Sequence, residues 1–198
     1  MHIKVFIGLT FSEDNFFAKK IQSFRGRYDE KILTNPSVHM PLVPPFEIPV
    51  ASLESLEQEI TEELESFFFG HTGDQSVRFT GMDVQSHAKK SLLFLNPEAH
   101  TDMLHCEESL IQICREYVED REKRPKADKK FLTIGRFHDP ASLHAALSVA
   151  QIEFQDTTEL PVSSVCLFTK NQGIWYQQAN LIEFSPGLSA ESLTAALP

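Results

Sequence analysis

Two short stretches hold the residues best suited to chemistry, and each sets a pair of side chains two positions apart. If extended, Val38–Phe46 places His39 and Pro41 on one face. Lys130–Arg136 places Phe131 and Thr133 on one face, with Leu132 and Ile134 on the other. Between the pairs the chain keeps one imidazole and one hydroxyl. An imidazole transfers protons near neutral pH, and a hydroxyl donates to an anionic oxygen. Together they could hold an anionic oxygen and move a proton beside it. Pro41 offers neither a side-chain donor nor a backbone N–H, and Phe131 cannot move a proton. Arg136 ends the second stretch and Lys130 begins it. The preceding basic run (Arg121, Lys123, Arg124, Lys126, Lys129) reads as a solvated loop, or as a rim that draws a small anion towards the Phe131 face.

The elements that must position these residues follow from periodicity and punctuation. Residues 2–9 alternate as a strand, and a helix is expected from Ser12 to Gly26 with Phe17, Ile21 and Phe24 inward. The His39 strand is closed by Pro44, Pro45 and Pro49. A helix capped by Ser52 follows, with Leu53, Leu56, Ile60, Leu64 and Phe67 on one stripe, ending at Gly70. Strands over 76–84 and 90–96, joined by the turn 85–89, lead to a helix over 101–119 and then to the Phe131 strand. Asp139–Pro140 begins another helix. Residues 164–184 read as a hairpin turning at Asn171–Gly173, and 185–198 as a tail. This order predicts an α+β fold rather than a doubly wound parallel sheet. In each half a motif strand is joined to a helix and further strands. That echo suggests two lobes related by a pseudo-twofold, each lending one motif strand to a shared cleft within a single domain over 1–184.

Composition narrows the function classes. The net charge of −10 argues against broad, sequence-independent nucleic-acid binding, which depends on neutralising phosphates. Cys106, Cys114 and Cys166 are too scattered for a zinc site or a disulfide framework. No apolar run is long enough to span a bilayer, and the N-terminus lacks the pattern of a secretory signal. A cytoplasmic monomer that uses neither metal nor cofactor is the expectation.

The Val-His-Met-Pro-Leu-Val-Pro-Pro-Phe stretch, the Phe-Leu-Thr-Ile-Gly-Arg stretch and the terminal hairpin with Leu167, Phe168 and Trp175 together resemble the 2H phosphoesterase superfamily. That group includes the 2'-5' RNA ligase-like proteins and the RNA 2',3'-cyclic phosphodiesterases. Its pattern is two His-x-Thr/Ser motifs, one per lobe. The resemblance implies a bilobal fold of antiparallel sheet with helices outside and a central cleft, and metal-independent chemistry. One histidine serves as base towards water, the other protonates the leaving ribose oxygen, and the two hydroxyls bind phosphate oxygens. Carried onto this chain, His39 and Thr133 are the remaining catalytic positions, with Arg136, Phe131 and Lys130 as substrate contacts. The two departures, Pro41 and Phe131, imply a protein that binds a nucleotide or an RNA end bearing a cyclic phosphate, with weak or no turnover. The alternatives are a working cyclic phosphodiesterase that relies on His39, with His87 or His138 as a possible replacement for the missing histidine, and a non-catalytic protein-interaction module.

Overall fold

The computed structural model describes residues 1–35, 37–69, 75–87, 90–98 and 106–184, with only the backbone of His87. The expected 185–198 tail, the start of the 101–119 helix and part of the 85–89 turn lie outside the described residues. Strand β1 (His2–Phe11) turns Val5, Ile7, Leu9 and Phe11 into the main core, and Phe6 into a small cluster on the opposite face. Both faces are covered, so the strand lies deep in the sheet.

Helix α1 (Phe16–Tyr28) starts and ends later than the sequence suggests. Ser12 stays tied to the sheet through its N–H on the Pro161 carbonyl, and Asn15 caps the helix by accepting from the N–H groups of Phe17 and Ala18. Gly26 lies inside the helix. Asp29 closes it with its own N–H on the Arg25 carbonyl, while the Arg25 side chain reaches the Asp29 carboxylate. Among the described residues, strand β2 (His39–Pro49) pairs only with β1, with Pro41 opposite Gly8. Proline is tolerated at such an edge because a missing N–H there breaks little of the ladder. Helix α2 (Leu53–Phe68) buries Leu56, Ile60, Leu64 and Phe68 at four-residue spacing, and Ser52 precedes it without a side-chain cap.

Strands β3 (Ser76–His87) and β4 (Lys90–Pro97) form a hairpin, α3 spans Glu107–Glu116 and β5 spans Leu132–Phe137. Helix α4 (Pro140–Glu153) carries the expected Asp139 cap, which accepts from the Ser142 N–H. Strands β6 (Thr158–Asn171) and β7 (Ile174–Glu183) are joined through Gln172 and Gly173, both at positive φ, as a tight right-twisted hairpin requires.

The sheet is antiparallel, with order β2-β1-β6-β3-β4-β5 and β7 also on β6. Long β6 serves both halves. Its first residues, Thr158–Pro161, pair with β3 and its later ones pair with β7, while β1 runs along the other side. Two four-stranded wings therefore share one strand. The echo between halves takes a concrete form: β1-α1-β2 and β4-α3-β5 are each an antiparallel pair bridged by a helix, and each ends in an outermost strand. The bridging helices cross over, α1 packing on β5 and α3 on β2. Although β2 and β5 end the sheet on opposite sides, their Cα traces approach within 8 Å. The sheet curls until its two motif strands meet.

Candidate functional site

His39 opens β2, paired across the ladder with Thr10. Alternation sends Met40 and Leu42 into the core and leaves His39 and Pro41 half-buried on the opposite face. On that face the imidazole rests against aromatic rings, with centroids 5.1 Å from Phe6 and 5.3 Å from Phe168. Phe6 and Phe168 stack at 4.4 Å, and Trp175 meets Phe6 edge-on at 4.7 Å. These rings form a rigid apolar floor under the histidine.

His39 Nδ1 lies 3.0 Å from the Ser37 carbonyl. A carbonyl only accepts, so Nδ1 carries the proton and Nε2 presents the lone pair. The same carbonyl accepts from Arg25 Nη1 at 2.6 Å. Arg25 is buried and also donates to the Asn35 carbonyl and to Asp29. Buried Asp29 in turn accepts from Arg136 of β5 at 2.8 Å. This Arg25–Asp29–Arg136 triad ties the approach to β2 to the far end of β5. Burial lowers the affinity of His39 for a proton, the Arg25 and Arg136 charges lower it further, and the Ser37 contact offsets only part, leaving a pKa of about 3. At neutral pH His39 is therefore an uncharged ring whose Nε2 is an acceptor.

On the second motif strand, Leu132 and Ile134 enter the core and Thr133 stays half-buried, paired with Phe94 of β4. Phe131, just before β5, lays its ring on Phe94 with centroids 4.6 Å apart. The ring that stands where an imidazole was expected is thus a packing element of the β4–β5 wing. Arg136 and Lys130 both have carboxylate partners, the latter reaching Glu107 at 2.7 Å with a nearly buried amine. Three other residues of the basic run also have partners: Lys129 lies near Asp83, Lys123 pairs with Asp120, and Arg124 donates to the Val118 carbonyl. His138 is exposed beyond the end of β5, 3.9 Å from Glu30. The side chain of His87 lies outside the described residues.

The structure also shows a groove of about 890 Å³ that the motif residues do not line. It runs from Thr10–Glu13 and the start of α1 past Ser37 and Val38 to Ser163, Gln177, Asn180 and Glu183. It begins beside His39, since Thr10 is the histidine's cross-strand partner and Ser37 holds its ring. A faint sequence signal existed in Ser164, Cys166 and Phe168, which alternate with apolar Val165 and Leu167 and give β6 one mixed face. The partners that join there, Thr10 and Asn180, are distant in sequence. No group of three or more His, Cys, Asp or Glu placed to hold a metal occurs among the described residues, and no described helix is long and apolar enough to cross a membrane.

A family model described as the 2'-5' RNA ligase superfamily matches residues 13–173. Among solved structures, Usb1 of Kluyveromyces marxianus has a similar fold, with a TM-score of 0.52 at 12% identity over 87% of this chain and 96% of that one. No curated protein matches in sequence.

Proposed function

Because the chain belongs to the 2'-5' RNA ligase superfamily, within the 2H phosphoesterase group, we propose that it is a weakened member that binds a nucleotide or an RNA end with a cyclic phosphate and turns it over slowly or not at all. The observation that carries this reading is the pair of side chains at the motif positions: Phe131 packed on Phe94, and a His39 that stays neutral. The reaction needs one group to accept a proton from water and another to deliver one to the leaving oxygen. Phe131 can do neither. With its pKa near 3, His39 holds no proton to deliver at pH 7 and is a feeble base. Losing one general acid or base costs about 100 to 10,000-fold in rate. Losing the hydroxyl that Pro41 displaces costs about 100 to 1,000-fold where charge develops on the phosphate.

Ligand capture survives such losses more readily than catalysis. Thr133 retains its hydroxyl, and the approach of β2 to β5 sets the two motif strands side by side. The cavity beginning at Thr10 has the size of ordinary small-ligand sites. Arg136 and Lys130, in this reading, shape the local potential while they remain paired with Asp29 and Glu107.

Incubation with 2',3'-cyclic nucleotides is expected to show negligible hydrolysis, while nucleotide monophosphates raise the melting temperature. Turnover abolished by His39→Ala would favour the second reading, in which His39 acts as the sole acid or base. An absence of both turnover and ligand-dependent stabilisation would point to a protein-interaction module.

A further inference from the structure

The floor of the groove is an unbroken chain of polar groups whose direction is fixed from one end. Ser163 Oγ lies 2.8 Å from Thr10 Oγ1, which lies 2.6 Å from Ser164 Oγ, which lies 3.0 Å from Cys166 Sγ. Cys166 reaches Asn180 Oδ1 at 3.3 Å, Gln177 Nε2 donates to the same oxygen, and Asn180 Nδ2 donates to Glu183. Thr10, Ser164 and Cys166 are buried; the Thr10 hydroxyl also lies 3.4 Å from the Ser164 carbonyl and 3.8 Å from Cys166 Sγ, both on the Glu183 side of the chain.

A carboxylate only accepts, so Glu183 forces the Asn180 amide to turn its NH2 outward and its carbonyl inward. The carbonyl then takes the Cys166 hydrogen, the sulfur takes that of Ser164, Ser164 takes that of Thr10, and Thr10 takes that of Ser163. Every hydrogen in the chain points towards Glu183. At the other end, half-buried Ser163 has spent its donor and shows the groove only lone pairs. Two carboxylates, Glu13 and Glu183, line the cavity, and its cation, Lys19, lies 3.5 Å from Asp14. A phosphate finds little welcome here. A group that brings N–H donors finds acceptors already aligned, with Phe11, Val38 and Phe184 as apolar walls.

We propose that this groove is a nucleobase subsite that selects an exocyclic amino edge, as in cytosine and adenine, over the carbonyl edge of uracil and hypoxanthine. It rests on the reading of the protein as a nucleotide binder, with the base in the groove and the phosphate towards His39. Cytosine and uracil have nearly the same shape but opposite polarity at positions 4 and 3, N4–H2 and an N3 lone pair in one and O4 and N3–H in the other; the selection proposed here is read at the exocyclic position, where an N–H meets the acceptors in one case and a lone pair in the other. A mismatch of that kind is worth about tenfold in affinity.

The test measures binding of cytidine and uridine 3'-monophosphates, and of the bare nucleosides, to the full chain by titration calorimetry. Fluorescence of Trp175, the chain's one tryptophan, provides a second readout. The proposal expects cytidine to exceed uridine by about tenfold in both pairs, and adenosine to exceed inosine. Glu183→Gln, which lets the amide chain reverse, and Ser163→Ala, which removes the terminal acceptor, should each erase the preference with circular dichroism unchanged. Equal affinity for the two bases, preference for uridine, a preference that survives both variants, or no binding of any nucleoside or nucleotide would overturn the subsite. The phosphate arm separates the two ideas. Nucleosides that bind with the preference but gain nothing from phosphate support the groove and defeat the nucleotide reading, whereas nucleotides that bind without base preference do the reverse.

Discussion

Replacing His39 by Asn tests the electrostatics of the site, because Asn keeps an N–H able to reach the Ser37 carbonyl but removes the titratable ring. His39 has an ordinary value of 6.5 when unfolded and about 3 when folded. Between those values the unfolded chain binds more protons, so acid favours unfolding and stability rises with pH through this window. From the two values, the loss attributable to His39 is about 2 kcal/mol at pH 5 and about 3 kcal/mol at pH 4, with none above pH 7. Carboxylates titrate over the same range, so the informative quantity is the difference between parent and variant. Urea denaturation of both proteins at half-unit steps from pH 7.5 to 4 isolates it. The parent should lose stability to the variant as pH falls below about 6.5, and the His39 ring should show no protonation shift by NMR down to pH 5. Parallel stability curves, or a midpoint near 6.5 for the folded ring, would refute the argument that burial and the two guanidinium groups keep this histidine neutral.

Other substitutions probe the frame around it. Asp29→Ala leaves buried Arg25 and half-buried Arg136 without their shared counter-charge and should cost about 3–5 kcal/mol in chemical denaturation; a loss below 1 kcal/mol would mean that water already solvates the triad. Phe131→His with Pro41→Thr should restore measurable cyclic-phosphate hydrolysis, read by chromatography of 2',3'-cyclic nucleotides. A folded double variant as inert as its parent would count against the motif assignment. A methyl at Gly135 would lie 2.6 Å from the Phe137 ring, so Gly135→Ala should lower stability by about 1–3 kcal/mol, visible as a drop in melting temperature. Gln172→Asn, at a turn position with φ of 47°, should raise the melting temperature slightly, because Asn tolerates that region better.

Much of this architecture was legible because strand periodicity and turn chemistry are local. The alternation around His39 and Thr133 identified which side chains leave the core, and Asp139–Pro140 and Gln172–Gly173 marked their boundaries. The missing N–H of Pro41 also fits the edge position that β2 takes. What escaped depends on distant partners. Nothing near Ser12 announces that its N–H is held by Pro161, so the start of α1 was misplaced by one turn. Nothing in the sequence around Arg25 sets it apart. Its role appears only when Asp29, Ser37 and, from the other wing, Arg136 converge on it. The basic run before β5 read as a solvated loop or an anion-attracting rim, and the fold brings acids to it: Lys130 and Lys129 lie beside Glu107 and Asp83.

The prolines of β2 carry a consequence of their own. A strand at the border of a sheet normally offers a row of free amide hydrogens to any extended chain that drifts past, and so invites chain-to-chain stacking and fibre growth. Pro41, Pro44, Pro45 and Pro49 put four residues without an amide hydrogen in this strand and so thin out that offer. The margin that holds His39 can stay open to a small ligand without becoming a template for a second copy of the protein.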